Sequence, residues 1–150
     1  MGTASTPARS FSARESRRIP GSRAQTILVV EDDAAIRDLL VFLLEGKGYG
    51  VLKARHSQEA LLFSNEFPGP IRLLLTNVHM PPFGNGCELA HRIRRSRQDV
   101  KVLYLSENSD DETVEKEVRS GLAGFLPKPF TPLGLIEAVQ AAMATSVAVA

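Results

Sequence analysis

Three carboxylates in a row, Glu31-Asp32-Asp33, directly follow an apolar run, Thr26-Ile27-Leu28-Val29-Val30. A second apolar run, Leu73-Leu74-Leu75, ends in Thr76-Asn77-Val78-His79, and a Met80-Pro81-Pro82 turn follows at once. Two further polar groups hold similar positions: Ser106 closes the run 100–105, and Lys128 follows Ala123–Pro127. Adjacent carboxylates repel one another and lack counterions, so they favour a hard cation such as Mg2+, which takes oxygen ligands and keeps several waters. A cation there would neutralise a phosphoryl group on the next strand, with Lys128 contacting a phosphoryl oxygen and Ser106 donating a hydrogen bond. Singly, each residue has a plainer reading: acids after a strand cap the next helix, a terminal serine makes a turn, and Lys-Pro is a common surface dipeptide. Their joint occurrence at successive strand ends favours a site.

The elements that must position these groups follow from hydrophobic patterning. Residues 26–30 are β-branched and apolar without alternation, which predicts a central strand covered on both faces. Ile36, Leu39, Leu40, Leu43 and Leu44 recur at helical spacing, with Asp33 as N-cap and Gly48 as stop. Residues 50–54 form a second strand. Ser57 is expected to cap a helix through Ala60, Leu61, Leu62 and Phe63, broken by Phe67-Pro68-Gly69-Pro70. Strand three spans about residues 71–76 and delivers Asn77 to the rim of the sheet. A glycine-rich turn then enters a third helix, with Cys87, Leu89, Ala90 and Ile93 on its apolar side. Its basic side, Arg92, Arg94, Arg95 and Arg97, reads as a solvated face. Residues 100–106 are strand four, and residues 110–119 a short acidic helix with Val114 and Val118 inward, ended by Gly121. Residues 123–127 are strand five, and Thr131 caps a last helix through Leu133, Leu135, Ile136, Val139 and Ala142.

Five strand-then-helix units predict an α/β fold, a parallel sheet between two helical layers. In such a sheet, functional groups gather beyond the carboxyl ends of the strands, where strand order reverses. With the order 2-1-3-4-5, strands one and three are neighbours. The acids then lie beside residue 77, with Ser106 and Lys128 across from it.

Composition limits the function. The chain has 150 residues and a formal net charge of +1, so no overall field draws it to nucleic acid. Residues 1–25 hold five Arg and one Glu, leaving 13 basic and 16 acidic side chains in the rest. That first segment is expected to be a disordered basic tail, residues 26–144 the folded domain, and residues 145–150 a short C-terminal tail with no output domain. One cysteine, Cys87, allows no internal disulfide, and no apolar run reaches the roughly 20 residues of a membrane span. The expected compartment is the cytoplasm.

The chain resembles a receiver domain of two-component (phosphorelay) signalling, with the CheY-like, flavodoxin-like fold, over about residues 26–144. The resemblance rests on Ile27-Leu28-Val29-Val30-Glu31-Asp32-Asp33, the Met80-Pro81 turn, Leu103-Tyr104-Leu105-Ser106 and Phe125-Leu126-Pro127-Lys128-Pro129-Phe130. It implies that Glu31 and Asp32 hold Mg2+, with the backbone carbonyl of His79 as third protein ligand and Asp33 outside the pair. It implies that Ser106 is the switch hydroxyl, Lys128 the phosphate-sensing lysine and Phe125 the aromatic whose rotation reports activation. The partner surface would be the face of the fourth helix, fifth strand and fifth helix, and the partner a histidine kinase, phosphotransfer protein or other signalling protein.

The chain departs from the family at Asn77, where the resemblance places the phosphoacceptor Asp. A receiver accepts phosphate by nucleophilic attack of a carboxylate, and a neutral amide oxygen is a much poorer nucleophile. Asn77 is therefore expected not to be phosphorylated. Its oxygen remains available to a metal, and Mg2+ is expected to bind more weakly than in Asp-bearing relatives. Thr76 is the poorer substitute, because neighbours on a strand face opposite sides. The main reading is a stand-alone, non-enzymatic receiver acting by protein contact. One alternative is a conventional phosphoaccepting receiver whose Asp is altered to Asn in this version of the chain. Another is a small nucleotide-binding or phosphatase-type enzyme, disfavoured because Glu31-Asp32-Asp33-Ala34-Ala35 has no glycine to bring backbone around a phosphate. His56, His79 and His91 show no metal-ligand spacing.

Overall fold

Every residue of β1 (Thr26–Val30) is buried. Alternate side chains of a strand face opposite sides, so such a strand must be covered on both. Ile27 and Val29 pack in one apolar layer, Leu28 and Val30 in the other. The computed structural model describes residues 25–82, 84–107 and 110–144. The basic tail, apart from Gln25, and the segment 145–150 lie outside the described residues.

The remaining strands are β2 (Gly50–Ala54), β3 (Leu73–Asn77), β4 (Lys101–Ser106) and β5 (Ala123–Pro127). Helices α1 (Ala34–Gly46), α2 (Ser57–Glu66), α3 (Gly86–Ser96), α4 (Glu112–Arg119) and α5 (Pro132–Ala144) each follow the strand of the same number. All strand pairs are parallel and the order is β2-β1-β3-β4-β5, as the sequence pattern predicts. Leu40 and Leu44 of α1 and Leu135 and Val139 of α5 cover one face of the sheet. Ala60 of α2, Leu89 and Ile93 of α3 and Val114 of α4 cover the other. No helix among the described residues is long and apolar enough to cross a membrane.

Helix ends largely follow the expected signals. Asp33 accepts from the Ile36 amide at 3.0 Å and caps α1, and Gly48 turns the chain beyond it at a φ of 93°. Gly121 does the same beyond α4 at a φ of 83°. The Thr131 hydroxyl accepts from the Gly134 amide at 2.9 Å.

Four local expectations are corrected. The cap of α2 is His56 rather than Ser57: its imidazole Nδ1 accepts from the Glu59 amide at 3.2 Å, while the Ser57 hydroxyl is buried without a partner among the described residues. Val118 is not inward but 39% exposed, because the side of α4 facing the sheet is shared by Val114 and Glu117. Glu117 accepts from the buried Tyr104 hydroxyl at 2.8 Å and from Arg94 at 3.1 Å. The basic side of α3 is only partly solvated. Arg92 and Arg95 are exposed, but Arg94 also reaches the Leu122 carbonyl. Arg97 donates to the hydroxyl and carbonyl of Ser64 and to the carbonyls of Phe67 and Gly69. Its guanidinium thus ties down the loop between α2 and β3. Finally, β3 begins two residues later than expected and includes Asn77 as its last residue.

Candidate functional site

The sheet register brings the polar strand ends together. Val30 pairs with Thr76, so Glu31, the first residue past β1, lies beside Asn77, the last residue of β3. Asn77 pairs with Leu105, and Ser106 with Pro127, which places Lys128 next in line. The Lys128 amide donates to the Ser106 carbonyl at 2.9 Å and fixes that approach. Between β1 and β3 strand order reverses, and a cleft of about 340 Å³ opens there. Glu31, Asp32, Asp33, Asn77, His79, Ser106, Glu107 and Lys128 line it, together with Ile36 and Leu105.

Close packing below the cleft holds β3 in place. Gly86, the first residue of α3, lies so near β3 that a Cβ there would fall on the Asn77 carbonyl oxygen and press on the Thr76 methyl. The Gly86 amide donates to the Val78 carbonyl at 2.7 Å. Thr76 turns its hydroxyl back to the Asn77 carbonyl at 3.0 Å, and it does not line the cleft. His79 is exposed on the cleft wall and pairs in an isolated bridge with Asn85, whose side chain caps α3.

Glu31 is the centre of the polar network. It is fully buried, yet its carboxylate accepts from three donors. Lys128 Nζ reaches Oε1 at 3.0 Å; the Asp33 amide and Asn77 Nδ2 reach Oε2 at 3.0 and 2.9 Å. Asn77 Nδ2 also donates to Asp32 Oδ1 at 2.9 Å. Both N–H groups of one carboxamide therefore bridge the two acids. The reverse amide orientation would set its oxygen against two carboxylate oxygens, so the donor arrangement is the one the acids dictate. The amide oxygen is left buried with no hydrogen-bond partner among the described residues. An unsatisfied buried acceptor costs about 1–3 kcal/mol, and two hydrogen bonds to charged acceptors of about 1.5–3 kcal/mol each outweigh it.

This geometry corrects the expectation that Asn77 offers its oxygen to a metal. Its nitrogen faces the acids, and an amide N–H cannot coordinate a cation. Of the four carboxylate oxygens of Glu31 and Asp32, Asn77 holds Glu31 Oε2 and Asp32 Oδ1 and Lys128 holds Glu31 Oε1. No group of three or more His, Cys, Asp or Glu side chains among the described residues is placed to hold a metal ion. As arranged, the donor set does not fit Mg2+.

Phe125 stands apart from the acids. It is half-buried on β5, opposite Tyr104, and lines a larger groove of about 600 Å³ with Val118, Leu122, Ala138 and Ala142. That groove lies on the α4–β5–α5 side of the domain. Cys87 packs against the α2–α4 core layer beside Tyr104, and burial pushes its thiol up to about 11. Burial and the hydrogen bond to Glu117 push the Tyr104 phenol well above its ordinary range. The link joining α3, β4 and α4 through Arg94, Glu117 and Tyr104 was missed in the sequence, where Tyr104 reads simply as a strand residue.

Comparison with known proteins agrees with this architecture. An uncharacterized 14.6 kDa protein from the sodA1 3' region of Leptolyngbya boryana is 39% identical over 117 residues, covering 76% of this chain and 86% of the relative. The phosphate regulon transcriptional regulatory protein PhoB of Escherichia coli is 32% identical over 122 residues, or 80% of this chain and 52% of PhoB. The crystal structure of the Vibrio cholerae chemotaxis protein CheY4 superposes with a TM-score of 0.70 at 26% identity, covering 79% of this chain and 98% of CheY4. The model of the response regulator receiver domain matches residues 27–140. With the sheet order, the acid pair and the Ser106–Lys128 approach all in place, the chain belongs to the response regulator receiver domain family.

Proposed function

We propose that this receiver works in two-component signalling without accepting phosphate at residue 77, through protein contacts alone. The observation that carries the reading is Asn77 itself. It holds the position at the end of β3 where a receiver presents its nucleophile, and its amide nitrogen is committed to Glu31 and Asp32. Attack on a phosphoryl donor needs a carboxylate lone pair directed into the cleft. Here the group facing the acids is a donor, and the amide oxygen carries no charge.

Ser106 and Lys128 are the residues that would sense phosphate, and Phe125 the one that would relay it. In this chain Lys128 is already engaged by Glu31, which supports a fixed rather than a switched pocket. The domain spans residues 26–144, is not an enzyme, and acts in the cytoplasm. Its partner is a histidine kinase, phosphotransfer protein or related signalling protein, received on the α4–β5–α5 face. The apolar groove containing Phe125, Val118 and Leu122 supports that face as the contact surface.

Incubation with radiolabelled acetyl phosphate and Mg2+ at neutral pH tests the reading. The wild type is expected to take up no label, while Asn77→Asp takes it up. Label on the wild type would establish the alternative, a conventional phosphoaccepting receiver.

A further inference from the structure

We propose that the Asn77 carboxamide is a built-in replacement for the cation at the acid pair, so that the pocket keeps one conformation with or without Mg2+. The proposal deepens the phosphate-independent reading and rests on it.

Four observations converge. Two carboxylates from β1's end, Glu31 and Asp32, approach a single nitrogen at 2.9 Å each, which is the bridging role a cation would otherwise fill. Glu31 is buried and yet is satisfied by the chain alone, through Lys128, the Asp33 amide and Asn77. Asn77 is 4% exposed, and its amide oxygen has no partner among the described residues. The side chain thus spends its hydrogen-bonding capacity on the acids at the expense of its own acceptor. Formal charge points the same way. Glu31, Asp32 and Lys128 together carry −1, and Asp33 and Glu107, which also line the cleft, bring this to −3. A carboxylate at 77 would add one more negative charge beside the acid pair. The amide instead bridges the two acids itself, and so lessens both their need for a cation and the site's affinity for one. A cation bridging Glu31 Oε2 and Asp32 Oδ1 would have to displace the two N–H donors that Asn77 holds there.

Thermal unfolding and isothermal titration calorimetry with MgCl2 against EDTA test this, with no phosphoryl donor or analogue present. Wild type should show no saturable heat in the millimolar range and an unchanged midpoint. Asn77→Asp, with three acids converging, should be less stable in EDTA and regain its midpoint as Mg2+ is added. Asn77→Ala removes the donors without adding charge. It should also lose stability in EDTA and keeps the test decisive should the Asp variant fail to fold. Saturable millimolar Mg2+ binding by wild type, or an Asn77→Ala variant as stable as wild type in EDTA, would overturn the proposal. Failure of the phosphate-independent reading registers separately, as uptake of labelled phosphate.

Discussion

Glu31 and Lys128 are 97 positions apart in the chain and 3.0 Å apart in the fold. The Glu31 side chain is 1% exposed and that of Lys128 12%, so Glu31 cannot turn to water if its partner is lost. Removing one member of such a pair leaves an uncompensated buried charge, which costs about 3–5 kcal/mol. Lys128→Ala is expected to lose about that much in urea unfolding, and Lys128→Met no less, because the missing partner is the charge and not the stem. Both residues were legible in the sequence as members of one pocket, since strand-end positions and sheet order place them there. The pairing itself was not, because it depends on which way two side chains turn inside the cleft. The same holds for Asn77: its place followed from the sequence, but the facing of its amide required the acids to be seen around it. Cys87 gives a pH-dependent prediction. Burial raises its thiol to about 11 from an ordinary 9.0, so the folded state holds its proton where the unfolded state has lost it. The stabilisation from keeping the thiol neutral is present below pH 9.0 and is lost as pH rises toward 11. Alkylation of folded protein by iodoacetamide should accordingly keep accelerating past pH 9.0, where an ordinary thiol would level off.

At the level of elements, α3 depends on a single glycine. Gly86→Ala would drive a methyl into the Asn77 carbonyl, and either the N-terminus of α3 or the tip of β3 must move. Forcing a methyl into a packed site costs about 1–3 kcal/mol. A loss at the upper end of that range is expected in chemical denaturation, with amide resonance shifts concentrated at residues 76–79 and 86–88. The sequence marks this turn as glycine-rich, but which of its glycines is indispensable depends on how closely α3 crosses β3. Similar reasoning explains the misreadings of α3 and α4. Helical periodicity separates apolar from polar faces, yet a long arginine can leave the polar face and satisfy backbone carbonyls, as Arg97 does with Ser64 near the end of α2 and with Phe67 and Gly69 of the α2–β3 loop. On α4, Glu117 took an inward place because Tyr104 offered it a hydroxyl, and Val118 was displaced to the rim of the groove. His56 capped α2 because its ring nitrogen reached the Glu59 amide, a role that composition assigns more readily to serine.

For the molecule as a whole, the fold was legible because each level of pattern agreed. Fully apolar strands demand cover on both faces, strand–helix alternation demands parallel crossovers, and the reversal of strand order fixes where a cleft must open. The sheet meets all three demands. In a receiver that takes phosphate, the cleft and the α4–β5–α5 face must communicate. In this chain the cleft is closed on itself by Asn77 and Lys128, and α4 is tied to β4 and α3 by Tyr104, Glu117 and Arg94. On the phosphate-independent function proposed above, the domain has one functional state. The most direct test is the 1H–15N NMR spectrum of the wild-type protein titrated with Mg2+ and beryllofluoride, beside that of Asn77→Asp. The expected result is an unchanged wild-type spectrum, and in Asn77→Asp saturable shifts that begin at Ser106 and Lys128 and extend to Phe125 and α4. Saturable shifts of that kind in the wild type would contradict it.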